Sequence, residues 1–202
     1  MARFFNFFPK TLYYKDHAAI GVETVTNIVA RVGFEPSFKD NTAVYYEYDI
    51  QDGDTPETVA YKYYGDSYRY WIILYSNQIM NPLWDWPLSS NDFNAYIADK
   101  YQSFDPYSTV YQYQKIITQF DSSTLTTTTN TVTIDNLTYN NLVLTTNTYS
   151  LPTGNVTVSV TKNAVSYYDY ELGLNEAKRT ISILNRNYAD QLETEFKSLM
   201  KQ

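Results

Sequence analysis

Apolar and polar positions change rhythm several times along this chain, and each rhythm predicts an element. Val25, Ile28, Val29 and Val32 recur at spacings of three and four. A short helix is expected there, capped by Gly33, with Pro36 beyond it. Residues 44–50, Val-Tyr-Tyr-Glu-Tyr-Asp-Ile, are β-branched and aromatic and read as a strand. Asp52-Gly53-Asp54 is a turn. Thr55 then suits an N-cap, Pro56 the first helical position and Glu57 the first turn. That helix carries Val59, Ala60 and Tyr63 and stops at Gly65. A second helix begins near Asp66 or Ser67, has Tyr70, Trp71, Leu74 and Tyr75 as its apolar stripe, and ends by Asn77. The stretch Met80-Asn81-Pro82-Leu83-Trp84-Asp85-Trp86-Pro87 reads as a loop. Ser89 or Ser90 caps a third helix, with Asp92 in its first turn and Phe93, Tyr96, Ile97 and Tyr101 on one face.

The pattern changes at residues 121–163. This stretch holds 14 threonines and seven asparagines against three charged residues, Asp121, Asp135 and Lys162. Low complexity suggests disorder, but Val132 and Ile134 alternate with polar neighbours, as do Leu142 and Leu144, and Val156, Val158 and Val160. Alternation is strand periodicity, and threonine favours strands. Asp135-Asn136 and Pro152-Thr153-Gly154 supply turns. A small antiparallel module is expected. Beyond it, Arg-Thr-Ile-Ser-Ile-Leu at 179–184 reads as a strand. A helix from about 188 follows, with Asn187 as cap, a stripe of Tyr188, Leu192, Phe196 and Leu199, and Met200 widening it.

The expected class is α+β. The expected divisions are an aromatic arm and short helix over 1–43, a compact domain over 44–88, a helix and connector over 89–117, a Thr/Asn-rich β insertion over 118–165, and a C-terminal strand and helix over 166–202. Composition changes this picture in one way. The 202 residues include 22 tyrosines against ten phenylalanines; aromatics reach 17% while charged residues fall to 18%, below the roughly 25% of an average domain. Tyrosine has an apolar body and a polar tip, so it suits surfaces that become covered by partners. Within 121–163 only Tyr139 and Tyr149 occur, so the excess lies outside the insertion.

Charge removes several functions. Fifteen basic and 22 acidic residues give a net charge of −7, which repels phosphate backbones and argues against nucleic acid as a partner. No apolar run approaches 18 residues, so no transmembrane helix is expected. The start, Met1-Ala2-Arg3-Phe4-Phe5-Asn6-Phe7-Phe8-Pro9, is too short for a signal h-region. The sequons Asn136-Leu137-Thr138 and Asn155-Val156-Thr157 matter only in a secretory context, and the chain reads as cytoplasmic at synthesis.

Little chemistry is available. There is no cysteine, and the single histidine is His17. A lone histidine supplies neither a triad nor a histidine-based zinc site. Asp52 and Asp54 flank Gly53 without the alternating ligands of an EF-hand loop. Six glycines form no phosphate-binding spacing. No enzyme, metal or cofactor is expected. Phe4, Phe5, Phe7 and Phe8 admit three readings: core, a membrane wedge, or a hook for a partner. A wedge usually carries a basic face, and only Arg3 and Lys10 are near. Trp71 sits on a helical stripe and reads as core. Trp84 and Trp86 read as anchors for something else.

Residues 48–65 resemble the opening of a LysM domain: a strand, Gly53-Asp54-Thr55-Pro56, a helix with Val59-Ala60, and Tyr64-Gly65. Trp71, Asn77 and Trp86-Pro87 are similar to its second half. The resemblance implies a small βααβ core, in a group whose usual members bind N-acetylglucosamine polymers. A wider set of residues resembles the LysM-like baseplate wedge proteins of contractile-tailed bacteriophages. It comprises Asp54-Thr55-Pro56-Glu57, Tyr64-Gly65, Tyr70-Trp71, Asn77, Trp86-Pro87-Leu88-Ser89, Lys100-Tyr101, the Phe-rich start ending at Pro9, and Asn175-Glu176-Ala177-Lys178-Arg179. This likeness implies a virion structural protein with no enzymatic activity. Its LysM-like fold would join neighbouring wedges into a ring around the hub. The expected partners are other wedge and hub subunits and copies of itself around a six-fold ring, without membrane insertion. The expected contact residues are Phe4, Phe5, Phe7, Phe8, Tyr64, Tyr70, Trp84 and Trp86. The alternative function is a cell-wall carbohydrate-binding module.

Overall fold

A computed structural model describes residues 4–14, 21–30 and 44–200. Helices and antiparallel strands are mixed in an α+β fold. Contacts divide the chain into two units, one formed by Met1–Ser90 with Ala177–Gln202 and the other by Asn91–Glu176.

The first unit opens with a 3-10 turn at Phe4–Phe7 and a hairpin of β1 (Lys10–Tyr14) and β2 (Val22–Thr26). The expected helix over Val25–Val32 is therefore corrected at its start: Val25 lies in β2, and Ile28 and Val29 lie in the turn beyond it. Valine and threonine, stiff at χ1, pair better along β1 than they stack in a helical turn. Val32, Gly33, Pro36 and His17 fall outside the described residues.

β3 (Tyr45–Asp49) leads into α1 (Pro56–Tyr64). As expected, Thr55 is the N-cap, with Pro56 at the first helical position. Thr58 completes a capping box with Thr55, satisfying two backbone donors reciprocally. Gly65 ends α1 at φ 75, and its N–H donates to the Tyr61 carbonyl. A 3-10 turn at Ser67–Arg69 precedes α2 (Tyr70–Ser76). The buried residues of α2 are Trp71, Ile72 and Ile73 rather than a single stripe. The helix contacts both α1 and a later strand, so consecutive positions are covered. Pro82–Asp85 forms a short helix, α3, where a loop was expected. Asn81 caps it by accepting from the Leu83 N–H.

The partner of β3 is β8 (Thr180–Leu184), in antiparallel register from Tyr45↔Leu184 to Asp49↔Thr180. Ile181, Ile183 and Leu184 are buried. Asn77 closes the other side of β8. Its Nδ2 donates to the Ser182 carbonyl (2.8 Å), and its Oδ1 accepts from the Ser182 N–H (2.8 Å). Nδ2 also donates to the Ile73 carbonyl (2.9 Å). One amide thus imitates a neighbouring strand at a single residue. α7 (Arg186–Leu199) completes the unit. Its cap is Asn185, not Asn187, because the Asn185 side chain accepts from the Asn187 N–H. The stripe shifts accordingly: Ala189, Phe196 and Met200 are buried, while Tyr188 and Leu199 are exposed.

The second unit holds α4 (Ser90–Lys100), whose Phe93 and Ile97 are buried, and α6 (Tyr167–Glu176). Between them lies a four-stranded antiparallel sheet in the order β5-β4-β7-β6. Its strands are β4 (Val110–Asp121), β5 (Thr126–Ile134), β6 (Thr145–Leu151) and β7 (Gly154–Ser166). The alternation read from the sequence is realised in the pairing. Lys115↔Val132, Ile117↔Val160, Gln119↔Val158 and Asp121↔Val156 place the valines on one face, and Thr129, Thr131, Thr157 and Thr161 lie on the other. Asp135 caps a short helix, α5 (Asn136–Asn141), rather than making a turn, and Leu142 and Leu144 lie in the link to β6.

Removing the Asn77 amide leaves the Ser182 N–H and carbonyl unpaired. Asn77→Ala is expected to cost about 2–3 kcal/mol in urea unfolding. Gly65→Ala meets open space and is expected to cost only about 1 kcal/mol, from its left-handed backbone.

Candidate interaction site

Aromatic residues distributed over both ends of the first unit meet in one cluster. Trp71 from α2 and Phe196 from α7 lie 4.9 Å apart, ring centre to ring centre. Phe4 packs on both, at 5.2 and 5.6 Å. Phe7 and Phe8 are buried against Phe196. Phe5 remains 55% exposed. The arm is thus partly core of its own chain, with one edge presented outward.

That edge borders an open groove of about 570 Å³. Phe4, Phe5, Tyr70, Leu74, Ile79 and Met80 are among its walls. Beside it stand strongly exposed apolar residues: Met80 at 87%, Leu83 at 80% and Trp84 at 67%. Their backbone is fixed by local bonds. The Asp85 carboxylate accepts from the Asn81 N–H, and Lys178 Nζ donates to the Trp84 carbonyl (2.6 Å). An apolar ridge on a braced backbone costs little entropy to immobilise against a partner.

The other expected contact residues are placed differently. Trp86 is 7% exposed and its Nε1 donates to the Asp54 carbonyl (2.7 Å). Tyr64 is 2% exposed and its hydroxyl donates to the Leu184 carbonyl (2.9 Å); burial pushes its phenol well above the ordinary range. Tyr70 is half-buried in the groove wall. Of the eight residues, Phe5 and Trp84 are the two that are exposed.

The residues that carry the LysM resemblance are placed as follows. Gly53 adopts φ 79 in the turn. Asp54 accepts from the Tyr48 hydroxyl (2.8 Å), the Gln51 N–H (3.3 Å) and Lys62 Nζ (2.6 Å). Burial raises its carboxyl pKa, but the bonds from Lys62 and Tyr48 outweigh it and hold it below the ordinary value. Pro56, Trp71 and Pro87 are buried.

Titratable groups converge at one place in the second unit. Glu171 on α6, 8% exposed, accepts from Lys100 (2.7 Å), Tyr101 (2.7 Å) and Tyr96 (3.3 Å). Burial pushes its carboxyl up, but the bonds from Lys100 and Tyr101 bring it below its ordinary value. The Tyr101 phenol is pushed up to about 12. Lys100, bonded to Glu171, likewise holds its proton more firmly than an ordinary lysine, which is ion-pair behaviour. The cluster joins α4 to α6 alongside stacked rings such as Tyr107–Tyr168 and Tyr111–Tyr170. Among the described residues, no three His, Cys, Asp or Glu side chains are grouped to hold a metal, and no helix is long and apolar enough to cross a membrane. Sequence reasoning missed Ile72, Ile73 and Glu171. The first two could have been found from the run Trp-Ile-Ile-Leu, whereas no local signal marks Glu171.

A family model described as "Base plate wedge protein 53" matches residues 3–201. No curated protein matches the chain.

Two pairs of measurements follow from the geometry. Trp86→Ala is expected to cost about 3–5 kcal/mol in thermal or urea unfolding, and Trp84→Ala less than about 0.5 kcal/mol. Glu171, with its carboxyl pKa depressed in the fold, adds stability above its unfolded value of 4.5. That stability is lost as pH falls through the lower folded value. Glu171→Gln is expected to cost about 1–2 kcal/mol at pH 7, discounted because Lys100 is half exposed. Its stability should then change less than the parent's between pH 5 and pH 3.

Proposed function

The chain belongs to the base plate wedge protein 53 family, and we propose that it works in the tail baseplate as a wedge-to-wedge joint around the hub. Family membership makes it a structural subunit of a phage tail, in contact with other baseplate subunits. The finer reading, copies of this chain closing a ring in a contractile tail, is the proposal. The observation that carries it is the exposed ridge of Met80, Leu83 and Trp84 beside the aromatic groove. Such anchors dominate interface energy when a partner desolvates them.

The same unit supports a LysM-like reading. β3 is followed by α1 and α2, and its ladder partner β8 arrives after Asn91–Glu176. The order is βααβ with the closing strand displaced by an inserted unit. Asn77 and Trp86 of the resemblance bond across this core, to Ser182 and Asp54. Their role here is to hold the core together, which suits an adaptor more than a sugar groove.

Trp84→Ala is expected to leave the chain folded while lowering its incorporation into tails at least tenfold, read by electron microscopy and by co-purification of tail proteins. Normal incorporation would show that the ridge is not the joint. Saturable retention of the parent chain on purified peptidoglycan would favour the carbohydrate reading instead.

A further inference from the structure

The sheet of the second unit leaves both of its edges open and unguarded. Natural sheets usually protect an edge strand with charge, proline, a bulge or a covering element. Here none of the nine residues of β5, Thr-Thr-Thr-Thr-Asn-Thr-Val-Thr-Ile, is charged or proline, and none of the seven of β6, Thr-Thr-Asn-Thr-Tyr-Ser-Leu. Every residue of β6 is exposed, and in β5 only Ile134 is partly covered. The charges of the sheet, Lys115, Asp121 and Lys162, lie instead on the inner strands β4 and β7. The one register shift, between Val110 and Gln112, is also on an inner strand. This is the reverse of the arrangement that keeps a sheet solitary.

Strand direction identifies what fits the edges. Neighbours in the order β5-β4-β7-β6 are all antiparallel. β5 and β7 therefore run one way, and β4 and β6 the other. A second copy set alongside in the same orientation brings its β5 against the first copy's β6 in antiparallel pairing. The lengths match for up to seven residues, about 24 Å of ladder. No like charges meet. The alternation of faces continues across the joint when the register keeps the valine face on one side. Pairing β5 with β5 across a two-fold axis would leave both β6 edges open. Head-to-tail pairing covers both kinds of edge with one contact, and contacts of that kind build rings or open chains.

We propose that this unit joins copies of the chain head to tail by pairing β6 of one copy with β5 of the next. The contact is separate from the ridge of the first unit and does not depend on the role assigned to it. A seven-residue ladder is small, so the pairing is weak alone and strengthens where other contacts bring copies together.

Lysine on one edge at a time tests it. Thr129→Lys blocks β5 and leaves β6 free; Thr148→Lys does the reverse. Sedimentation velocity on the full-length parent should show an average mass rising with concentration up to the millimolar range. Each variant alone should remain a monomer. An equimolar mixture should form dimers and nothing larger, because only one free β5 meets one free β6. Circular dichroism verifies folding; if either variant unfolds, Thr131→Glu and Asn147→Glu take their places. Dimers of Thr148→Lys alone would mean β5–β5 pairing and overturn the proposal. A parent that stays monomeric at millimolar concentration would also overturn it. If edge variants enter tails as well as the parent does, the edge contact fails while the baseplate role stands. A parent that pairs through these edges but never enters tails has the opposite meaning.

Discussion

The first unit depends on one ladder, β3 with β8. Its residues Asp49 and Thr180 are 131 positions apart and are joined side chain to side chain at 2.8 Å. Around this pair the chain gathers its core: α1 through the Tyr64 hydroxyl on Leu184, α2 through Asn77 on Ser182, and α7 directly after the strand. Closing so long a loop costs entropy, but only about 0.6 kcal/mol for each doubling of length. The inserted unit reduces even that, because its first and last helices are already held together by Glu171 and by Phe93 against Tyr168. A long excursion becomes a folded detour whose ends are fixed.

The two units solve the problem of burial differently. The first has a true core, with Ile72, Ile73, Ala60 and Leu184 fully out of solvent. In the second, no residue of the four strands is buried. Its order comes from the ladders, from threonines suited to extended backbone, and from tyrosines stacked against α6. The tyrosine excess that suggests partners is therefore spent partly inside the chain. Tyr101, Tyr107, Tyr111, Tyr167, Tyr168 and Tyr170 pack on aromatic neighbours.

What was legible in the sequence was local. Thr55, Pro56 and Gly65 mark α1 because capping and left-handed backbone are decided within a turn of helix. The valines of β5 and β7 reveal their strands because alternation needs no partner to be seen. Pairing was not legible: nothing near residue 46 says that its neighbour lies at 183. Competition between elements was also hidden. Val25 follows a helical spacing, yet β1 offers it a ladder. Asn187 is a plausible cap, but Asn185 reaches the backbone first. For the candidate site, the aromatic residue types are legible in the sequence and their exposure is not. Trp84 and Trp86 are two positions apart, and only the fold turns one outward and the other into Asp54.

The separation of β3 from β8 also sets an order of events during synthesis. A ribosome adding about 5–20 residues per second takes roughly 7–26 s to go from the end of the first strand to the start of the second. The inserted unit is finished within that interval, since Glu176 precedes Thr180. For most of it, Ile72 and Ile73 have been made without the strand that covers them. The nascent first unit thus leaves this apolar surface uncovered until its last quarter emerges. A chain truncated shortly after Glu176 would carry a completed insertion on an unfinished body.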